Sequence, residues 1–260
     1  MRLKALLDVI EYDFRHFFRF RWFVIGLIAM NLADLFISAV VFTQMTSIGA
    51  DAFDYFRFFA PGLAVVGLFA SAFMIGREIN MEVRREIHHY MLSLPLTRNE
   101  LALGRVLAGG LRGMLYVTPL LLTNFILLHF PSFQDLLLIL ATLFLLAIGI
   151  AGISISLAVS IRSFEKFVTA RGVTYYLFFF CSTVFYPAVI IQELARRGLT
   201  PLVTFAQINP LSNASDLIRS LLLGPPDYVF SPLMILDVAV FSVIFASLAT
   251  FAYANIITRQ

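Results

Sequence analysis

The chain has 260 residues, of which 60% are apolar and only 13% charged, and its mean hydropathy is +0.89. A soluble domain of this size carries about 25% charged residues on its surface, so the composition excludes a soluble enzyme, a disordered protein and a water-exposed nucleic-acid binder. The net charge of +3 reflects where arginines sit along a membrane protein, and it gives no support for nucleic acid as a partner.

At roughly 20 residues per spanning helix, the chain has room for about six spans and short connections. The reading is therefore an all-α integral membrane protein forming one transmembrane domain over 1–260. Residues 1–21 come first. Leu3, Leu6, Leu7, Ile10, Phe14, Phe17 and Phe18 recur at helical spacing, with Asp8, Glu11, Asp13 and Arg15 on the other side. This predicts an amphipathic helix lying in the membrane interface before the chain turns inward near Trp22, or else an extension of the first span. Acids and aromatics interrupt the segment, so it does not read as a cleavable signal peptide.

Apolar stretches follow at 23–45, 58–76, 106–130, 136–161, 173–192 and 233–257. Fourteen Lys and Arg residues fall on one side of these spans and four on the other (Arg57, Arg196, Arg197 and Arg219), with Arg112 inside the third span. The bias places both termini in the cytoplasm of a multi-pass protein of the cell membrane. Arg112, near the inner end of its span, is expected to snorkel to the cytoplasmic surface.

Within spans, ionisable and amide side chains are candidates for a translocation path. Asp34 lies deepest, about 18 Å beyond Trp22 along the helix axis, where a structural hydrogen bond to a neighbouring helix fits equally well; Asn31 and Asn124 are weaker candidates. Gly109 and Gly113, with Gly149, Gly152 and Ser156, predict close helix contacts in a bundle interior or a subunit seam. Cys181 lies in an apolar run and reads as a small hydrophobe.

The connection 77–105 is charged and too elaborate for a turn. Glu78, Glu82 and Glu86 are spaced by four, as are Arg85 and His89, which predicts a short solvated helix that stops near Pro95. Thr97 with Glu100 three residues on predicts a capping box opening the next helix. The segment suits docking of a soluble subunit. Arg77, Glu78, Glu82, Glu86, His89, Leu92, Pro95 and Arg98 are the candidate docking residues. The outer segment 193–232 is Pro-rich and half apolar, predicting one or two short re-entrant helices, with Ser212 or Asn213 as N-cap and an Asp216–Arg219 pair.

The chain carries no Gly-rich phosphate loop, no H-E-x-x-H sequence and no clustered metal ligands. Neither catalytic nor metal-binding residues are expected.

Three stretches carry a family resemblance. Phe58-Phe59-Ala60-Pro61-Gly62-Leu63 opens the second span. Leu92-Ser93-Leu94-Pro95-Leu96-Thr97-Arg98-Asn99-Glu100 is followed by Gly104-Arg105, and Asn209-Pro210-Leu211 by Asp216 and Arg219. In this order the chain resembles the ABC-2 type transporter permease family. Two departures stand out: Glu86-Ile87-His88-His89 replaces a common Gly-Thr-x-Glu, and Arg105 stands where Lys is common.

The resemblance implies a permease with ATP and Mg bound by separate cytoplasmic ABC ATPase subunits, and a second permease copy or paralogue completing a dimer. It implies docking through 77–98, and export or flipping of an amphiphilic, lipid-linked or drug-like substrate. It also marks Asn209, Pro210, Leu211, Asp216 and Arg219 as an outer-segment motif. An ion-coupled secondary carrier built around Asp34, and a non-transporting membrane assembly factor, remain alternatives at this stage.

Overall fold

The computed structural model describes residues 2–19, 21–46, 55–87, 95–161, 163–187, 190, 193, 196–225 and 228–256. Among the described residues there are ten helices and no strand. They are α1 Leu3–Arg19, α2 Arg21–Thr46, α3 Tyr55–Ala72, α4 Met74–Arg84, α5 Arg98–Leu127, α6 Phe133–Ser160, α7 Phe164–Phe180, α8 Thr200–Ile208, α9 Pro210–Leu222 and α10 Pro232–Ile256.

Among these residues, four helical stretches are long and apolar enough to cross a membrane: Arg57–Arg84, Arg98–Leu127, Phe133–Ser160 and Pro232–Asn255. The first joins α3 to α4 across a single turn at Phe73. Its 28 residues give a length of about 42 Å, well beyond a hydrocarbon core of roughly 30 Å. The second span thus runs on into what the sequence suggested was a separate charged helix. Glu78 and Glu82 ride on that continuation. Glu86 does not, because the helix ends at Arg84 and Glu86 takes a left-handed backbone conformation with φ 59°. Ile87 is helical again, and the stretch leading to the expected stop at Pro95 lies outside the described residues.

The fifth apolar stretch is also displaced. The sequence placed it at 173–192, whereas α7 covers Phe164–Phe180 and gives way to turns at Cys181. Asn209, at the start of α9, donates its side-chain amide to the Phe178 and Cys181 carbonyls at 2.8 and 2.7 Å. Those are carbonyls that a continuing helix would have satisfied itself.

In lipid, helices associate through packing and polar contacts rather than the hydrophobic effect, and small residues set how closely they approach. Gly109 lies against Ile75 and Ala151, Gly113 against Ala72 and Ala147, and Gly149 and Gly152 against α10. The small faces are thus bundle interior within this chain. The tightest approach is Gly76 on Ser154, whose hydroxyl donates to the Phe73 carbonyl at 2.5 Å and satisfies the break between α3 and α4. A methyl at position 76 would overlap both the Ser154 hydroxyl and its backbone carbonyl. Gly76→Ala should therefore push α4 off α6 and cost about 1–3 kcal/mol, read as a lower thermal midpoint in detergent.

Among the described residues two large apolar cores result. The larger joins α3, α5, α6 and α9 around Phe58, Leu68, Leu120, Leu143 and Leu217. The smaller, at the other end, gathers Val9 of α1, Ile79 of α4, Val106 of α5, Ile155 of α6 and Tyr253 of α10. The buried charges of the next section border this smaller core.

Candidate functional site

Sequence periodicity gave α1 one apolar and one polar face, but the helix packs differently. Ala5, Leu6, Val9, Asp13 and Phe17 are the buried residues, while Leu3, Leu7 and Phe18 are exposed at 73%, 56% and 55%. Asp13, expected on the polar side, faces the protein instead. The physical reason is a pair of arginines two turns apart on α5, which a buried acid can satisfy.

Arg105 is 1% exposed and Arg112 3%. Arg105 pairs with Asp13 through Nη1, and its Nη2 donates to Glu82 Oε2 at 2.8 Å. Arg112 donates from Nη1 to Glu78 Oε2 at 2.6 Å and from Nη2 to the Asp13 backbone carbonyl at 2.6 Å. Its Nη2 also lies 3.5 Å from the Asp13 carboxylate. Arg112 therefore does not snorkel: its guanidinium turns inward, because Glu78 and α1 supply the polar partners that water would otherwise provide. The two guanidiniums also lie 5.6 Å from the Tyr12 ring centre and 5.1 Å from that of Phe17, close enough for cation–π attraction.

Three carboxylates thus share two guanidiniums. Burial pushes the Asp13 carboxyl above its ordinary range, Arg105 and Arg112 pull it back, and Glu78 adds to the rise. Asp13 Oδ2 is buried without a hydrogen-bond partner.

The start of α1 is fastened separately. The Arg2 backbone N–H donates to Glu100 Oε1 at 2.6 Å, and Arg2 Nη2 donates to the Pro95 carbonyl at 2.8 Å. Glu100 also closes the expected capping box. Its Oε2 accepts from the Thr97 N–H at 3.0 Å, and Thr97 Oγ1 accepts from the Glu100 N–H at 3.3 Å. The helix α1, the α4 extension and the first half of α5 are thereby locked together, with the Pro95–Arg98 corner held at the start of α5 against the start of α1. A force on that corner is carried into the bundle through charge-assisted hydrogen bonds rather than through a loose loop.

The candidate docking residues divide accordingly. Arg77, Glu86, Pro95 and Arg98 are exposed, whereas Glu78 and Glu82 are turned to α5. His89 and Leu92 lie outside the described residues. Sequence reasoning missed Asp13 and Arg105 as partners. The available signal was an acid interrupting the Leu6, Val9, Phe17 stripe, facing arginines seven apart on α5 and glutamates four apart on α4.

The intramembrane candidates do not form one cluster. Asn124 is fully buried and donates to the Ala60 carbonyl of α3 at 3.1 Å. Asn31 is buried beside Gly67, and Asp34 is exposed on α2.

The outer-segment motif is a separate knot. Asn209, rather than Ser212 or Asn213, is the N-cap of α9, its Oδ1 accepting from the Leu211 N–H at 3.0 Å with Pro210 as first helical residue. Ser212 instead accepts from the Thr183 N–H at 2.9 Å. Arg219, 0% exposed, pairs with Asp216 at 2.6 Å and lies over the Phe58 ring at 3.9 Å. It also donates to the carbonyls of Phe58, Thr183 and Val184 at 2.9, 3.1 and 3.1 Å. The motif thus ties α9 to the start of α3 and to the turns that end α7.

A search of curated proteins finds no match. The ABC-2 type transporter family model matches residues 6–223, from α1 to the end of α9. That stretch takes in the fastened α1, the Pro95–Arg98 corner and the Arg219 knot, and by this match the chain belongs to the ABC-2 type transporter family.

Proposed function

We propose that the chain is the permease subunit of an ATP-driven transporter, with ATP and Mg held by separate cytoplasmic ABC ATPase subunits. The observation that carries this reading is the family match, joined to a Pro95–Arg98 corner fastened to the start of α1 and to α5. In this reading α2 and α7 complete a set of six spans, and α1 lies in the inner interface with its Leu3, Leu7 and Phe18 edge toward lipid. Both termini face the cytoplasm of the cell membrane.

The ATPase seats on the segment from Arg84 to Arg98, of which Glu86, Pro95 and Arg98 are exposed. Glu78 and Glu82 act as positioning residues through their arginines. A second permease copy or paralogue completes the transporter. Nucleotide-driven closure of the ATPases tilts the locked helices, and the transporter exports or flips an amphiphilic, lipid-linked or drug-like substrate. Energetically this is a coupling between sites on different subunits.

Co-purification with an ABC ATPase encoded beside this chain tests the proposal. Arg98→Glu, at an exposed position, should weaken ATPase binding about tenfold or more while leaving the thermal midpoint within about 2 °C. A correctly folded permease that binds no such ATPase, or that drives transport from an ion gradient without ATP, would overturn it.

A further inference from the structure

A cavity of about 380 Å³ lies between α1, α4 and α5 beside the charge network. One face of α4 supplies Met74, Arg77, Glu78 and Met81, with Arg85 just past its end; α5 supplies Arg112 and Tyr116, and α1 supplies His16 and Phe17. The opposite face of α4, with Ile75 and Ile79, packs into the smaller core.

The cavity's charges do not balance. Among the described residues the one carboxylate lining it, Glu78, is already held by Arg112. Among the described residues neither Arg77 nor Arg85 has a carboxylate partner. The Arg112 Nε–H is buried with no acceptor. A further cation reaches the rim, where Arg171 of α7 places Nη2 3.2 Å from Met74 Sδ. Cations gathered against apolar walls raise the local positive potential, because the walls exclude water.

Part of the wall is apolar: Phe17, Met74, Met81 and the ring of Tyr116. Phe17 continues into Phe14 and the exposed Phe18, with ring centres 6.4 and 5.3 Å away, and from there into the exposed edge of Leu7 and Leu3. A polar, cationic chamber bordered through Phe17 by an apolar strip matches a molecule with an anionic head and hydrocarbon tails. The volume suits a head group and its first methylenes, the scale of an ordinary ligand pocket.

We propose that this cavity binds a phosphate-bearing amphiphile by its head group, with Arg77 and Arg85 gripping the phosphate and the tails lying along Phe14 and Phe18. Guanidinium forks are suited to phosphate oxygens. The proposal goes beyond the ATPase-docking reading and needs no ATPase, so the two fail separately.

The test uses the full chain in neutral maltoside detergent, with a fluorescent short-chain phosphatidic acid as probe. The matching diacylglycerol, which lacks phosphate, and inorganic phosphate serve as competitors. Arg77→Gln with Arg85→Gln should weaken probe binding about tenfold or more. Arg196→Gln with Arg197→Gln, the same loss of charge at exposed positions elsewhere, should leave it within about twofold. Met81→Trp, which fills the cavity without altering charge, should also lower affinity. Size-exclusion profiles establish that each variant is folded.

Undiminished binding by the Arg77/Arg85 variant would overturn the proposal, as would equal competition by diacylglycerol. Displacement by inorganic phosphate at the probe's own concentration range would assign the cavity to free phosphate and overturn the amphiphile.

Discussion

Arg219→Ala is expected to destabilise the chain by about 3–5 kcal/mol. The guanidinium is fully buried and holds three backbone carbonyls, from Phe58, Thr183 and Val184, together with the Asp216 carboxylate. Truncation removes all of these donors at once and leaves the carbonyls buried inside the protein, where water does not readily replace them. A loss of this size is a large part of a typical native stability of roughly 5–15 kcal/mol. The variant should therefore aggregate on extraction and give no monodisperse peak after mild heating.

Two milder substitutions separate the causes. Arg219→Lys keeps the charge but offers a compact ammonium where a planar fork serves acceptors in several directions, so most of the loss should remain. Asp216→Asn keeps the shape, and Asp216 is 27% exposed. It should cost only about 1–2 kcal/mol. An Arg219→Ala protein as heat-stable as the parent, or an Asp216→Asn protein less stable than Arg219→Ala, would remove the basis for this reading.

The same knot explains why the sequence was legible here in pattern but not in role. Asn209, Pro210, Asp216 and Arg219 stand out by type and spacing, and their helix was expected. Their partners were not, because Phe58 and Thr183 lie 161 and 36 residues away from Arg219 and contribute backbone oxygens, which carry no residue signature. The end of α7 at Cys181 has the same origin. It is set by an amide from Asn209, so an apolar stretch that looks continuous is cut by a residue 28 positions later.

Periodicity did better where local chemistry decides. The Thr97–Glu100 capping box, the helical character of residues 3–19 and the small faces of α5 and α6 follow from spacing alone. It failed for Asp13 and Arg112, each assigned to water by its charge. A buried charge is tolerable only when its partner is known, and those partners lie on other helices.

The second large effect concerns that buried network, where the two sides should respond unequally. Removing Asp13 leaves Arg105 with Glu82 and Arg112 with Glu78, two matched pairs. Removing Arg105 leaves Asp13, Glu78 and Glu82 around Arg112 alone. Asp13→Asn should therefore cost about 1–2 kcal/mol, and Arg105→Gln about 3–5 kcal/mol.

The double variant supplies the sharper criterion. With Arg105 gone, Asp13 is a surplus buried carboxylate, so Asp13→Asn in that background should stabilise the protein. The coupling between the two positions should reach about 2–3 kcal/mol in thermal or denaturant unfolding. Additive losses would mean that the pair does not interact as its geometry indicates. Because Asp13→Asn alone leaves most of the stability in place, it also isolates the role of α1. If that helix carries motion from the Pro95–Arg98 corner, the Asp13→Asn permease should still bind its ATPase yet transport less per ATP hydrolysed. A purely structural α1 would leave that ratio unchanged.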